Sequence, residues 1–471
     1  YRKDQSEFMD EFVTTLLENG MVRENPNSKW ASPAVVVRKP NGSYRMVVDL
    51  RKVNALSIKT AWPMPMLDEI ISHLERSKYW FILDAFKGFW LMPLAQACQE
   101  MMSFMTDRGV FTPTRSMQGA TNSAPQFQAR MGIMFKALLW HKLIVLMDDL
   151  LGHANDIESW FQVLTEVLNI AEERNLKFNA LKCVLFTLKV NFCGKVFTED
   201  GMSNDPEKIK ALVNLPAPKT ARDLLQFIFG SQWMNRHIPG YAARALPLTT
   251  LYEQLMAKMP KRTRAYAAKV SIGDRWTQDH EKSYLDVKKA IANSAQLAFP
   301  RGDMPKVVIA DASELACAGF ITQIPPEDLL KHPKEMAHQP LGFWGHKFQH
   351  SERNWTMTVK EGFALKGTMN ALNHCFVPCN HRTLLVTDHK NLIALADPSR
   401  WNKPTSEMLE RWIQQMQRIR YDIRHIDGED NYFADIMSRW GYAVPQRVAV
   451  RSVAFRQAMD ELSARVRPLQ K

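Results

Sequence analysis

The chain has 471 residues, of which 46% are hydrophobic and 23% are charged, a composition typical of a globular protein with more than one domain. Lys and Arg number 61 against 49 Asp and Glu, and the net charge of +12 favours a polyanionic partner. Six cysteines are too few for a disulfide framework, and no apolar run is long enough to span a membrane. The sequence therefore excludes a disulfide-stabilised scaffold and a membrane-spanning protein.

The first 200 residues alternate predicted strands with predicted helices. WASPAVVVRKPNGSYRMVVDL predicts two strands joined at PNG, because Asn-Gly is a strong hairpin signal. KYWFILD predicts a strand that ends at Asp84, and LIVLM predicts a strand that is followed by Asp148 and Asp149. Helical spacing marks APQFQARMGIMFKALLW and residues 156–175. This order predicts an α+β domain with carboxylates at the ends of strands.

Residues 201–300 are predicted to be mostly helical, with Asp205 as an N-cap and Pro206 at the first helical position. The basic stretch AKMPKRTRAYAAK shows no periodic pattern and is interpreted as a tether. From Lys306 the strand patterns KVVIADAS, QPLGFWGHKF and RTLLVTDHK alternate with helices as far as Trp440. A basic tail without a recognisable motif follows. The chain begins at Tyr1 rather than Met, so we expect it to be cut from a longer product.

Two adjacent carboxylates, Asp148 and Asp149, repel each other and lose solvation unless a cation lies near them. A solvated turn is the alternative, since Asp is common in turns. Adjacent residues of a strand point to opposite faces, so we expect only Asp148 to lie beside Asp84. Carboxylates on one face can bind two Mg²⁺ ions, which clamp the attacking and leaving oxygens of phosphoryl transfer. Lys39 and Arg45 flank the predicted hairpin turn and could contact a triphosphate, although a solvated strand surface is the alternative.

A second set of carboxylates is predicted on two strands and two helices near the end of the chain: Asp311, Glu361, Asp388 and Asp435. Each alone could be a helix cap or a surface charge. If they converge, their repulsion needs two Mg²⁺ ions, the arrangement that hydrolytic phosphodiester cleavage requires.

The stretch NHCFVPCNH brings together possible zinc ligands in one short loop: His374, Cys375, Cys379 and His381. It lacks the Cys-x-x-Cys pair of common zinc sites, so we interpret these residues as structural.

Six blocks in a fixed order resemble the reverse transcriptase of LTR retrotransposons and retroviruses, and gypsy-like elements most of all: RKPNGSYRMVVDLRKVN, FILDAFKGFW, MQGATNSAPQFQ, VLMDDLL, LKFNALKC and NFCGKVFTEDGM. RNWTMTVKEGFALKG and ADIMSR resemble the RNase H domain that is fused to these enzymes. The resemblance implies an α+β multidomain fold, a right-hand polymerase (fingers, palm and thumb) followed by an α/β RNase H-like domain. The boundaries we predict are fingers and palm 1–200, thumb 201–255, tether or connection 256–305, RNase H-like domain 306–440 and basic tail 441–471.

The same resemblance implies roles for individual residues. The catalytic, metal-binding carboxylates of the polymerase would be Asp84, Asp148 and Asp149. Those of the nuclease would be Asp311, Glu361, Asp388 and Asp435. The nucleotide-binding residues would be Lys39, Arg45, Phe89 and Gln118. The primer grip would be Phe192, Cys193 and Gly194. An aromatic ring at Phe89 fills the space that a ribose 2′-hydroxyl would need; core packing is the alternative for this residue and for the primer grip.

Three features bear on how closely the chain follows the family. Leu146 stands where the family has Tyr, which removes a hydroxyl near the primer terminus. QGATNSAPQ varies from the usual FGLTNAP. His425 lies ten residues before Asp435, a spacing that resembles the mobile histidine of cellular RNase H; a core or surface histidine is the alternative.

We therefore expect an RNA-directed and DNA-directed DNA polymerase with RNase H activity, from the Pol polyprotein of a retroelement. Its cofactor would be Mg²⁺, two per active site, with Mn²⁺ as a substitute. The expected partners are an RNA template, a DNA primer, an RNA–DNA hybrid, dNTPs and other Gag and Pol products, but no membrane; a homodimer is left open. We expect an intracellular location, in a cytoplasmic virus-like particle or in the nucleus.

Two alternatives remain from the sequence. A degenerate or host-adopted element would bind nucleic acid without catalysis, as the change at Leu146 would favour. An RNA-dependent RNA polymerase shares paired aspartates in its palm, but Phe89 and the RNase H blocks argue against it.

Overall fold

The computed structural model describes residues 2–39, 42–390, 392–393 and 407–426. The chain divides into two compact units. The first consists of Tyr1–Met66 and Ser77–Leu188, and the second of Leu67–Arg76 and Lys189–Lys471. Among the described helices, none is long and apolar enough to cross a membrane.

The first unit contains two sheets and their covering helices. Its helices are α1 (Lys3–Glu18), α2 (Arg51–Leu56), α4 (Gln96–Gln99), α5 (Ser123–Met134) and α6 (Ile157–Glu173). Its strands are β1 (Val22–Glu24), β2 (Ser32–Arg38), β3 (Tyr44–Val48), β4 (Tyr79–Asp84), β5 (Phe104–Thr106), β6 (Gly109–Pro113), β7 (Leu143–Leu146), β8 (Asp149–Ala154) and β9 (Val184–Thr187).

The first sheet has the order β1-β6-β5-β2-β3 and contains the predicted hairpin. Strands β2 and β3 pair antiparallel, which confirms the prediction from the PNG turn. Burial alternates along β2, as expected of a sheet with one face toward the core. Helix α1 covers that core with Met9, Val13 and Leu16, which lie at helical spacing and are buried with Val36 and Met46.

The second sheet has the order β7-β8-β4-β9, and β4 pairs antiparallel with both of its neighbours. Strand β4 ends at Asp84, as predicted. Helix α6 packs on β8 and β4 and confirms the helix predicted over 156–175. Its N-cap is Asp156, whose side chain accepts a hydrogen bond from the Ser159 backbone N–H at 2.8 Å.

The second unit begins with a three-stranded sheet, continues with helices and ends with a five-stranded sheet. Its helices are α3 (Leu67–Ser72), α7 (Pro206–Val213), α8 (Ala221–Gln232), α9 (Tyr241–Arg244), α10 (Leu246–Met256), α11 (Arg264–Ala267), α12 (Gln278–Ala292), α13 (His350–Arg353), α14 (Met357–Ala371) and α15 (Glu407–Met416). Its strands are β10 (Lys189–Phe192), β11 (Lys195–Thr198), β12 (Gly201–Asn204), β13 (Lys306–Ala312), β14 (Ala316–Gln323), β15 (Gln339–Lys347), β16 (Thr383–Thr387) and β17 (Tyr421–His425).

The helices α8 to α12 share one hydrophobic core, in which Leu224 and Leu251 are buried with Ala267 and Val287. Residues that we expected to form a tether therefore contribute to the same core as the predicted thumb. The reason is that Tyr284, Val287 and Ile291 place a buried stripe at helical spacing along α12. Helix α7 begins after Asp205, which confirms the predicted N-cap.

The five-stranded sheet has the order β15-β14-β13-β16-β17. Strand β13 pairs antiparallel with β14 and parallel with β16, and β16 pairs parallel with β17. Helices α14 and α15 pack against each other, and α14 packs against β13. Two of the sequence predictions, Asp435 and the tail 441–471, lie outside the described residues.

Candidate active sites

The carboxylates of the first unit meet where β4 ends and β8 begins. Asp84 and Asp149 are directly opposite each other in the antiparallel pair of strands. Residues opposite each other in such a pair place their side chains on the same face of the sheet. Our expectation that only Asp148 would lie beside Asp84 is therefore wrong. The side chains of Asp148 and Asp149 do not alternate between the two faces as in a regular strand, because Met147 has a φ of +56° and interrupts the extended backbone before Asp149.

Asp148 lies in the turn between β7 and β8. Its backbone carbonyl accepts a hydrogen bond from the Ala85 N–H at 2.8 Å. Its carboxylate packs against Gly88, since a Cβ on that glycine would lie 2.6 Å from Asp148 Oδ1. Within the described part of the chain, this oxygen is buried without a hydrogen-bond partner. A buried carboxylate oxygen in that state is suited to a cation.

The electrostatics of this site are those of crowded anions. Burial raises the pKa of Asp148 above its usual range, and repulsion from Asp84 and Asp149 adds to the rise. Burial and repulsion from Asp84 raise the pKa of Asp149 as well. Lys182 opposes these effects, because its Nζ lies 2.8 Å from Asp84 Oδ2. The site therefore attracts positive charge.

A cavity of about 460 Å³ opens beside these carboxylates. Six residues that the sequence predicted for the polymerase site line it: Lys39, Arg45, Asp84, Phe89, Gln118 and Asp148. Phe89 lies in a short 3-10 helix, Gly88–Leu91, and its ring centroid is 5.7 Å from that of Phe127.

The sequence interpretation missed several residues that line the same cavity, among them Phe8, Phe12 and Lys182. Lys182 belongs to the block LKFNALKC, which carried the family resemblance but no assigned role. The two phenylalanines had no signal beyond a helical pattern. Leu146, where the family has Tyr, ends β7 and pairs with Asp149.

The carboxylates of the second unit lie on adjacent elements. Asp311 is on β13, and Asp388 directly follows β16, its parallel neighbour. Glu361, on α14, is 3% exposed. The Ala312 N–H donates a hydrogen bond to Glu361 Oε1 at 3.0 Å, while Oε2 is buried without a hydrogen-bond partner among the described residues.

These three carboxylates repel one another electrostatically, and the repulsion raises pKa values among them. Burial, followed by repulsion from Asp311, raises the pKa of Glu361 to about 8. Burial and repulsion from Asp388 raise the pKa of Asp311. The structure thus brings three of the four predicted nuclease carboxylates together. The His425 ring Nε2 donates a hydrogen bond to the Asp388 backbone carbonyl at 3.1 Å.

The predicted primer grip forms the turn between β10 and β11 in the second unit. Cys193 and Gly194 have φ values of +53° and +73°, which are typical of a two-residue hairpin turn. Phe192 is 2% exposed, as the core-packing alternative requires. Lys195, which follows the turn, donates to Asn204 Oδ1 at 2.6 Å, and burial together with repulsion from nearby Lys208 lowers the pKa of Lys195 to about 7.

The predicted structural cluster lies around the end of α14. Cys375 is buried, and Cys379 Sγ lies 3.4 Å from the Met304 carbonyl oxygen. Across the described residues, no three His, Cys, Asp or Glu side chains form a ready metal site. The two carboxylate sets nevertheless fit Mg²⁺ chemically, because Mg²⁺ binds through one or two carboxylates together with waters and substrate phosphates.

Comparison with known protein families assigns both units. Residues 37–197 match the model of the reverse transcriptase (RNA-dependent DNA polymerase) family. Residues 276–383 match the RNase H-like domain found in reverse transcriptase. The chain therefore contains a reverse transcriptase domain followed by an RNase H-like domain of the kind found in reverse transcriptase. Both predicted domains are thereby confirmed.

The chain is similar to Pol polyproteins of LTR retrotransposons. It is 27% identical over 435 residues to the retrovirus-related Pol polyprotein from transposon 297 of Drosophila melanogaster, a match over 91% of the chain and 38% of that polyprotein. It is 23% identical over 431 residues to the transposon Tf2-3 polyprotein of Schizosaccharomyces pombe, over 92% of the chain and 30% of the polyprotein. The chain thus spans well under half the length of these relatives.

Solved structures agree on the fold. The foamy viral protease-reverse transcriptase in complex with dsDNA matches with a TM-score of 0.74 and 20% identity, over 91% of this chain and 84% of that one. The same viral protein in complex with an RNA/DNA hybrid matches with a TM-score of 0.70 and 20% identity, over 91% of this chain and 54% of that one. These matches confirm the predicted fold class.

Proposed function

We propose that the first unit copies RNA and DNA templates into DNA, and that the second unit cleaves the RNA strand of the resulting RNA–DNA hybrid. The observation that carries the proposal is the convergence of two aspartates, two cations and an aromatic ring around one cavity of the first unit: Asp84, Asp148, Lys39, Arg45 and Phe89. Anionic oxygens beside cationic side chains suit a metal-bound triphosphate.

In the first site, Asp84, Asp148 and Asp149 would hold Mg²⁺, or Mn²⁺ in its place. When bound, the metal activates the primer hydroxyl and neutralises charge on the phosphates. Lys39 and Arg45 would bind the triphosphate, and Gln118 would pack against the nucleotide. Phe89 would exclude a 2′-hydroxyl by shape, which selects deoxynucleotides.

In the second site, Asp311, Glu361, Asp388 and Asp435 would hold Mg²⁺ beside the scissile phosphodiester. The high pKa of Glu361 means that a cation is needed to keep its carboxylate ionised near neutral pH. His425 would act through Asp388, whose backbone carbonyl it contacts.

We further propose the domain roles predicted from the sequence: fingers and palm over 1–200, thumb over 201–255, connection over 256–305 and RNase H-like domain over 306–440. The hairpin at Phe192, Cys193 and Gly194 would hold the primer end. The substrates would be an RNA template, a DNA primer, dNTPs and an RNA–DNA hybrid, within a longer Pol product that works with other Gag and Pol products inside the cell.

Substitution of one aspartate in each site tests the assignment. Asp148→Asn should abolish primer extension on poly(rA) with an oligo(dT) primer and leave hybrid cleavage intact, whereas Asp388→Asn should do the reverse. Asp279→Asn removes a carboxylate from an exposed position on α12 and should change neither activity. If Asp148→Asn extends primers at the parent rate, the polymerase assignment is wrong. A parent chain that binds primer–template but performs neither reaction would support the binding-protein alternative.

A further inference from the structure

Helix α1 contributes two aromatic rings to the cavity of the first unit, and the proposed function gives them no role. Phe8 and Phe12 both line the cavity. Their ring centroids are 5.8 Å apart and their planes differ by 16°, so the rings are stacked. Tyr44 also lines the cavity, and its ring centroid lies 5.7 Å from that of Phe8. These rings form a continuous aromatic wall of the cavity.

The wall is held in place by the rest of α1. On the other side of the helix, Met9 and Leu16 are each 1% exposed and belong to the core under the first sheet. Polar contacts fix the start of the helix, because Ser6 Oγ donates to Asp107 at 2.8 Å and the Tyr44 hydroxyl donates to Asp4. Phe8 and Phe12 are only half-buried. A ligand would therefore meet preorganised rings, which limits the entropy that binding costs.

A cation lies directly on this wall. Lys87 Nζ is 5.1 Å from the ring centroid of Phe12 and 5.4 Å from that of Phe86. Lys87 itself has a φ of +49°, a left-handed conformation that is unfavourable for a non-glycine residue and is concentrated at ligand sites. Its side chain is exposed, so it can leave the ring face for a phosphate when another group stacks there.

Aromatic rings beside a movable cation have the chemistry of single-strand nucleic-acid binding, in which bases stack on the rings and phosphates contact the cations. We propose that Phe8, Phe12 and Lys87 form a stacking subsite for an unpaired nucleobase. The proposal rests on the function proposed above and deepens it. The base comes either from the template strand ahead of the primer terminus or from the incoming nucleotide, and the experiment separates these sources.

The test uses the full chain and a labelled primer–template with three forms of template end: a single-stranded 5′ overhang, the same overhang with abasic sites, and a blunt end. Phe12→Leu keeps an apolar side chain but removes the ring, whereas Phe12→Tyr keeps the ring. If the template base stacks, Phe12→Leu should weaken binding to the normal overhang about tenfold. Binding to the abasic and blunt substrates should stay at the parent value, and Phe12→Tyr should bind like the parent.

If the incoming base stacks instead, Phe12→Leu should raise the KM for dNTPs about tenfold and leave all three binding constants unchanged. Lys87→Gln, at an exposed position, provides a second variant in case the ring substitution unfolds the chain; it should weaken the same interaction. Phe161→Leu removes a 54% exposed ring from α6 and serves as the matched control.

The proposal is overturned if Phe12→Leu and Lys87→Gln leave both the overhang affinity and the KM unchanged, or if they weaken binding to all three substrates equally. Asp148→Asn separates this result from the proposed function. That variant should lose primer extension while it binds the overhang substrate like the parent, so a failure of the stacking subsite and a failure of the polymerase assignment give different results.

Discussion

Replacement of Gly88 by Ala tests how tightly the structure positions Asp148. A Cβ at this position would lie 2.6 Å from Asp148 Oδ1 and 2.8 Å from Phe127 Cζ. Phe127 is 2% exposed and cannot easily move, so the carboxylate must shift by about half an ångström. A displacement of ~1 Å at a reacting centre costs about 100-fold in rate, so we expect roughly tenfold slower primer extension. The overpacking should also cost about 1–3 kcal/mol of unfolding free energy.

The matched control for this substitution is Gly132→Ala on α5 of the same unit. A Cβ there would lie 3.8 Å from Trp62 Cζ2, an ordinary contact, and Ala in a helix is more stable than Gly by about 0.5–1 kcal/mol. Single-turnover primer extension measures the rate, and denaturant unfolding measures the stability. If Gly88→Ala is folded and its rate of primer extension is within twofold of the rate of Gly132→Ala, the position of the Asp148 carboxylate does not limit the reaction.

Other properties of the chain can be tested in the same way. Because the pKa of Glu361 is raised from 4.5 to about 8, its contribution to stability is fully present below about pH 4.5 and is lost as the pH rises to about 8. Without divalent cations, the unfolding free energy of the parent should therefore fall by a few kcal/mol relative to that of Glu361→Gln over that window. Denaturant unfolding at several pH values measures this difference, and parallel pH profiles of the two chains would contradict it. Gly194→Ala should destabilise the chain more than Gly20→Ala does. Both glycines have a positive φ, but only at Gly194 would a Cβ meet Lys208 Nζ, at 1.9 Å. Equal unfolding free energies of the two variants would show that the lysine simply moves away. Asp156→Ala removes the N-cap of α6 and should cost about 1 kcal/mol in the same assay, and an unchanged midpoint would show that the cap adds nothing.

Local sequence patterns were sufficient to predict the elements that carry the carboxylates. An Asn-Gly pair in the sequence predicted the hairpin of β2 and β3, β4 ends at Asp84, and α6 follows the Asp156 cap. Each of these features depends on a few neighbouring residues, so the chain itself contains the signal. The family resemblance then connected carboxylates that are far apart in the sequence, such as Asp311 and Glu361, which no local pattern could do.

What could not be predicted depends on backbone geometry and tertiary packing. The left-handed conformation of Met147 changes which face of the sheet the following side chains lie on and brings Asp149 opposite Asp84. The short helix at 264–267 has little periodicity of its own, yet Ala267 is completely buried because other helices cover it. Phe8 and Phe12 form part of the cavity only because α1 packs on a sheet that is built from later residues.

The electrostatics of the two sites explain why a chain retains carboxylates that destabilise it. In the first unit Lys182 offsets part of the repulsion at Asp84, yet the pKa values of Asp148 and Asp149 stay raised. In the second unit Glu361 keeps one buried oxygen without a hydrogen-bond partner among the described residues. Packing alone would favour neutral side chains at these positions. Charge that is unfavourable for folding but suited to a divalent cation supports the metal-binding role proposed for both sites.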